Sequence, residues 1–286
     1  MKNHRYNFPY SNGKELAEKI NSILEEYNVP LTLRQVYYRL VALGLKNSQN
    51  VYKNLSGKLS RLREDGLVSW DRIIDLNRQP KKESSWTSPQ EFFEADRWSY
   101  KRDLQQGQKV YLEIWCEKAI AIRHITDKYD VHLLAGGGYR SSSALYEAAE
   151  RFRDVGKKIV ILYLGDFDPS GLDIERDIET RMREVFGLEV DVQRVLLVQQ
   201  DITDYELLPS PVKPKDTRTS AYIERYGFRD VYELDALKPD VIADRLERAI
   251  CRNIDLDLYR TQVEKWEEDK VEIERFLDAW DERESY

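Results

Sequence analysis

Residues 161–171 read Ile-Leu-Tyr-Leu-Gly-Asp-Phe-Asp-Pro-Ser-Gly, an apolar run that breaks into two carboxylates one residue apart. Upstream, Val110-Tyr-Leu-Glu-Ile-Trp-Cys116 is a second apolar-rich run, and it too ends in an acid, Glu117. Short apolar runs of this kind, separated by stretches of helical periodicity, fit strands buried on both faces of a parallel sheet. The pattern predicts strands over 109–116, 131–135, 158–164 and 189–198, with helices over 118–128, 142–155 and 171–186 between them. Beyond about residue 200 it weakens into a Pro-rich loop, Leu208–Pro214, and helices near 217–226, 239–252 and 256–281. Glu117, Asp166 and Asp168 then lie just past strand carboxyl ends, where open α/β sheets present their sites, and three carboxylates suit a hard cation such as Mg²⁺. Pro169 and Gly171 predict a sharp turn that leaves Asp166 and Asp168 on exposed backbone. The competing assignment of an Asp in this setting is a helix N-cap.

The first 80 residues have a different character. Leu16, Ile20, Ile23 and Leu24 share one face of a helix predicted over 13–27, and Asn28 and Pro30 stop it. Thr32 is placed to N-cap a second helix, Leu33–Leu43, closed by Gly44. A third helix over 49–64 turns Val51, Leu55, Leu59 and Leu62 inward and Lys53, Lys58, Arg61 and Arg63 outward. Residues 67–75 have strand-like composition. Three helices followed by a short β ribbon describe a winged helix-turn-helix. The net charge of −7 is unevenly spread: residues 1–80 hold 13 Lys/Arg against 8 Asp/Glu, so they carry +5 and the remainder carries −12. A basic contact module joined to an acidic one follows from that asymmetry. The expected organisation is a basic helical domain at 1–80, a polar linker at 81–105 with a helical stretch around 89–104, and an α/β domain at 106–286 with a helical C-terminal extension.

Several function classes are disfavoured. No run of 18 apolar residues exists and the N-terminus is too polar for a signal peptide, so a cytoplasmic location and no membrane are expected. Cys116 and Cys251 have no metal-ligand spacing and predict no structural disulfide; His4, His124 and His132 form no zinc pattern. There is no G-x-x-x-x-G-K-[ST] loop for a nucleotide.

Thr32-Leu-Arg-Gln-Val-Tyr-Tyr38 adds a third chemical feature. On a helix Arg34 and Tyr38 share a face, while Tyr37 points about 100° away. An Arg beside a phenol stabilises phenolate and also holds a phosphate that the phenolate attacks; unassisted, with a pKa near 10, tyrosine is a poor nucleophile at neutral pH. The alternative is a core tyrosine with a surface Arg.

Together, Thr32-x-Arg34-x-x-Tyr37-Tyr38, Glu117-Lys118 and Asp166-x-Asp168-Pro169-x-Gly171 resemble the A subunit of topoisomerase VI and the related meiotic double-strand-break transesterase, in a compact form. The resemblance spans roughly residues 30–250. It implies a winged-helix domain of the CAP-like type that carries the catalytic tyrosine, followed by a Toprim domain with a parallel sheet. It also implies Tyr38 as nucleophile, Arg34 as its companion, Mg²⁺ on Glu117, Asp166 and Asp168, duplex DNA as substrate, and a homodimer in which Tyr38 of one subunit meets the metal of the other. Lys53, Lys58, Arg61 and Arg63 become candidate phosphate contacts, joined by Arg140 at the helix start after Gly136-Gly-Gly138. With no nucleotide loop of its own, the chain needs a separate ATPase subunit for any strand passage. A prokaryotic nucleoid, a virus or a mobile element is the expected setting. Two other assignments remain open: a hydrolytic Toprim nuclease with water as nucleophile, and a non-catalytic winged-helix DNA-binding protein.

Overall fold

Helix α1 (Gly13–Glu25) buries Leu16, Ile20, Ile23 and Leu24, the face its apolar spacing predicts. The structure, a computed structural model, describes residues 12–74, 84–96, 99–118, 122–136, 141–211, 217–227 and 229–284. Strand β1 (Leu31–Thr32) runs directly into α2 (Leu33–Ala42). Thr32 caps α2 as expected: its hydroxyl accepts the Gln35 N–H at 3.3 Å, and the Gln35 side chain accepts the Thr32 N–H at 2.8 Å. Gly44, at φ +101°, lets the chain leave the helix. Ser48 caps α3 (Gln49–Glu64), which turns Val51, Leu55, Leu59 and Leu62 into the same core as α1 and α2.

The strand-like stretch at 67–75 departs from expectation. Among the described residues it forms turns and only a two-residue strand, β2 (Ile73–Ile74), which pairs in parallel with β1 instead of making a ribbon. Arg63 explains the fold-back. Its guanidinium donates to the Trp70 and Ile73 carbonyls at 2.8 and 2.9 Å and lies 4.2 Å over the Trp70 ring, pinning the chain against the end of α3. Helix α4 (Pro89–Asp96) is also shorter than predicted, because both the N–H and the hydroxyl of Ser99 fold back onto the Asp96 carbonyl.

The α/β part follows the predicted alternation: β3 (Val110–Cys116), α5 (Arg123–Tyr129), β4 (His132–Ala135), α6 (Ser142–Val155), β5 (Lys158–Leu164), α7 (Pro169–Phe186) and β6 (Val190–Leu196). All four strands are parallel, in the order β4-β3-β5-β6. The two faces are read off by alternation. Leu112, Ile114, Cys116, Val160, Leu162 and Leu164 pack on one side, and Trp115, Ile159, Ile161 and Tyr163 on the other, against α6 and α7. After β6 come α8 (Gln199–Asp204), β7 (Ser210–Pro211), α9 (Thr219–Tyr226), β8 (Asp230–Val231), a 3₁₀ turn (Leu234–Ala236), α10 (Pro239–Asn253) and α11 (Leu256–Glu284). Helix α10 covers the first face with Ile242, Leu246 and Ile250.

The strand order fixes where a site forms. From β3 the chain moves outward to β4, then returns across β3 to β5, so a crevice opens at the carboxyl ends of β3 and β5. Glu117 and Asp166 stand there. Two helix starts differ from prediction. Helix α5 begins at Arg123, not residue 118, so Lys118 lies in the loop beyond β3; α7 begins two residues early, with Asp168 as N-cap and Pro169 in its first turn. Among the described residues no helix is long and apolar enough to cross a membrane, and both cysteines are free thiols.

Replacing Thr32 with Ala removes half of the capping box at the head of the tyrosine helix. The expected loss is about 1 kcal/mol of unfolding free energy, read by urea denaturation, with the m-value unchanged.

Candidate active site

Backbone pairing carries the acids into register. One residue past β3, the Glu117 N–H donates to the Leu164 carbonyl at 2.8 Å, which holds Glu117 beside Gly165. The Glu117 carboxylate reaches back to accept the Asp166 N–H at 3.2 Å and the Tyr163 hydroxyl at 3.4 Å. Asp168 accepts the Gly171 N–H at 2.6 Å, so the N-cap role is real; it leaves the second carboxylate oxygen, Oδ2, outside that bond. Gly171 is there because nothing larger fits: a Cβ would collide with the Asp166 carbonyl and stand 3.1 Å from Glu117 Oε2. Asp166 corrects the expectation of an exposed turn. It is 6% exposed, with Oδ1 accepting the Leu234 N–H at 2.8 Å, because the segment after β8 packs over it.

That segment supplies two further site residues, Glu233 and Asp235. Phe167 and Tyr232 exchange backbone hydrogen bonds, which lays Glu233 and Asp235 against the acidic turn. Lys118 sits among them, 2.5 Å from Asp166, 2.8 Å from Glu233 and 4.0 Å from Asp235. Arg34 arrives from α2 and pairs with the same Glu233 and, at 3.3 Å, with Asp235. Tyr38 lines the same cleft as Glu233.

The result is a cleft of about 610 Å³ lined from both halves of the chain, with Arg34, Tyr38 and Tyr52 on one wall and Glu117, Asp166 and Asp168 on the other. The two adjacent tyrosines face different tasks. The Tyr37 hydroxyl is bound into the head of α3, donating to Asn47 at 3.0 Å and accepting the Ser48 N–H at 2.8 Å. Tyr38 lies edge-on to it at 5.3 Å and turns toward the acids, with the Arg34 guanidinium 5.9 Å from its ring centre.

The electrostatics are dominated by burial and excess carboxylate. Burial, then Asp166 and Asp168, push the Glu117 carboxyl up to about 7. Burial likewise lifts Asp235 to about 6 against the pull of Lys118 and Arg34. At Glu233 the two cations override burial and hold the carboxyl below its usual range. Burial and Glu233 push the Tyr38 phenol well above its ordinary value, and Arg34 pulls the other way without winning. Asp235 Oδ1 is buried with no hydrogen-bond partner, and Arg34 Nε meets the other Asp235 oxygen only as an ion pair at 3.3 Å, so the cluster is incompletely satisfied.

Among the described residues no three His, Cys, Asp or Glu side chains already converge as a metal cage. The chemistry of the donors nevertheless fits a hard divalent ion, since Glu117, Asp166 and Asp168 offer only oxygen and carry more negative charge than Lys118 balances. One further residue holds this set in place. Arg194, its side chain 9% exposed, pairs with Glu175 and donates to the carbonyls of Gly165, Asp166, Gly171 and Leu197 at 2.7–3.3 Å. An Arg inside the strand run Val190–Leu196 was the available sequence signal for it. Of the candidate phosphate contacts, Lys53 and Arg61 are exposed and Lys58 half-buried on α3; Arg63 is committed to Trp70 and Ile73, and Arg140 lies outside the described residues.

No protein-family model matches the chain, and no curated protein matches it.

Glu117 makes a pH test. Its folded pKa lies above the unfolded value, so its contribution to stability is full below about pH 4.5 and lost as pH rises through about 7. In EDTA, Glu117→Gln is expected to be more stable than the native chain between about pH 5 and 8, by an amount on the order of 2–3 kcal/mol at most. Mg²⁺ is expected to stabilise the native chain more at pH 8 than at pH 5.5, and the variant hardly at all, read by thermal melts. Arg194→Met leaves four carbonyls short of a donor. Its expected outcome is a cost of about 3 kcal/mol or more, with the Mg²⁺-induced shift lost, read on the same melts.

Proposed function

We propose that this chain is a Mg²⁺-dependent, DNA-cleaving transesterase of the type IIB topoisomerase A-subunit kind, with a winged-helix tyrosine domain and a Toprim domain. The observation that carries the proposal is the shared cleft: Arg34 and Tyr38 from the N-terminal helices open onto the same space as Glu117, Asp166 and Asp168. Tyr38 Oη attacks a DNA phosphorus, a phosphotyrosyl ester forms at the 5′ end, and the P–O3′ bond breaks to release a 3′-hydroxyl. The phenol loses its proton as the leaving oxygen gains one, so the exchange is balanced and reversible. Mg²⁺, held by Glu117, Asp166 and Asp168, would neutralise charge on the non-bridging and leaving oxygens. Arg34 orients the phosphate and stabilises phenolate, while Tyr37 holds α3 in place. Lys53, Lys58 and Arg61 position the duplex by its backbone without reading sequence.

The proposal carries its partners with it: duplex DNA, a second copy of the chain for a double-strand break, a separate ATPase subunit for strand passage, and a cytoplasmic setting in a prokaryote, virus or mobile element. In a dimer the tyrosine of one subunit meets the carboxylates of the other, as the family resemblance implies; here both stand on one cleft of a single chain. A second assignment, hydrolytic cleavage with water as nucleophile, is favoured by one observation. Burial, and then the nearby Glu233 carboxylate, raise the Tyr38 pKa, which opposes phenolate formation in this arrangement.

A denaturing gel of end-labelled duplex separates the two. Tyr38→Phe removes one oxygen and is expected to abolish both cleavage and the protein-linked 5′ end while duplex binding persists. Tyr37→Phe is expected to keep the chemistry and lose about 1–2 kcal/mol of stability, because the hydroxyl's bonds to Lys46, Asn47 and Ser48 go. Cleavage by Tyr38→Phe at the native rate, with a free 5′ phosphate, would establish hydrolysis instead.

A further inference from the structure

The two cations that a bound phosphodiester needs are already occupied by the protein's own acids. Glu233 accepts from Arg34 and from Lys118 at once. Asp235 stands behind it, 3.3 Å from Arg34 and 4.0 Å from Lys118. Among the described residues, five carboxylates, Glu117, Asp166 and Asp168 included, face two cations around the cleft. A polyanion meeting these groups meets net negative charge, and a single bound divalent ion does not cancel it. The pairing is also imperfect, since Asp235 Oδ1 is buried without a hydrogen-bond partner. A cluster of buried charges left partly unsatisfied is a poor structural rivet and a reasonable latch.

The latch joins the two halves of the molecule. Besides Arg34, α2 sends the Arg39 guanidinium to the Ala236 carbonyl, and Asn47 donates to Ser210 at 3.1 Å. These contacts from the helical half fall on the segments that flank the cleft rim, not on the parallel sheet.

We propose that the Glu233 carboxylate is an internal stand-in for a DNA backbone phosphate: it holds Arg34 and Lys118 in the free protein and is displaced when duplex enters. This inference rests on the cleft being the DNA site and supplies its regulation. Freed of Glu233, Arg34 and Lys118 form a two-cation seat for one phosphodiester beside Tyr38. The same geometry is compatible with Glu233 as a proton acceptor for Tyr38, and the two roles differ in what happens to binding. Removing a stand-in raises affinity for DNA; removing a proton acceptor leaves it unchanged.

The test is binding without chemistry. A fluorescein-labelled duplex is titrated with the full chain in EDTA at several salt concentrations, and anisotropy is recorded for the native protein, Glu233→Gln and Glu233→Gln/Arg34→Gln. The expected result is about tenfold tighter binding by Glu233→Gln, with the slope of log K against log salt steeper by about one to two phosphate contacts. The gain is expected to collapse in the double variant, because it depends on a released Arg34. Unchanged or weaker binding by a folded Glu233→Gln would overturn the proposal, as would a gain that survives loss of Arg34. Hydrogen exchange on the native protein gives a reading independent of any variant. Saturating duplex in EDTA is expected to speed exchange of the amides over 233–237, and unchanged or slower exchange there would also overturn it. Neither measurement uses cleavage. If Tyr38→Phe still cuts DNA while Glu233→Gln binds tighter, the transesterase assignment fails and the stand-in remains.

Discussion

Two backbone hydrogen bonds, from Phe167 N–H to the Tyr232 carbonyl at 2.9 Å and from Tyr232 N–H to the Phe167 carbonyl at 3.0 Å, sew the segment after β8 to the turn that carries Asp166 and Asp168. The rest of the site depends on that seam. It buries Asp166 under Leu234, brings Glu233 and Asp235 to Lys118, and so creates the anionic surface on which Arg34 docks. Without it the carboxylates at the sheet edge and the tyrosine helix would have no common boundary. Arg194 works from beneath, holding the carbonyls of the same turn so that the seam has a rigid partner.

The fold was legible wherever local pattern and tertiary environment agree. Strand runs such as Val110–Cys116 are buried on both sides, so their composition alone marks them. Thr32, Gly44 and the apolar spacing of α3 gave the helical boundaries, because capping and amphipathicity are local. The misses that shape the site are long-range. Nothing near residues 67–75 says that Arg63 will fold them back, and nothing in the turn at 165–171 says that residues sixty positions later will bury it. Asp168 had two readings at the level of sequence, cap or site acid, and the structure gives it the cap without removing it from the cleft. Glu233 and Asp235 were visible only as an acidic stretch; their importance comes from the Phe167–Tyr232 pairing, which no residue-level pattern encodes.

On the proposed function, charge placement reconciles an acidic chain with a nucleic-acid substrate. The net −7 is no uniform coat. Part of the negative surplus is spent inward, around Lys118 and Arg34, where its effect is felt at the cleft rather than at the molecular surface. The exposed Lys53 and Arg61 on α3 keep a basic approach face. A duplex drawn to that face then meets a second, discriminating layer of charge at the chemistry.

The helices α1–α3 share a core of their own, separate from the two cores that flank the sheet, with Ala236 among the few apolar groups that reach across. The seam between the halves is therefore largely polar, and dissolved ions act on it without touching either core. On the proposed function, salt has two opposing effects: it loosens the Arg34–Glu233 clasp that closes the cleft, and it weakens the grip of Lys53 and Arg61 on the duplex backbone. Affinity for DNA would then fall with salt less steeply than in a rigid basic groove making the same phosphate contacts, because part of the screening falls on the internal clasp.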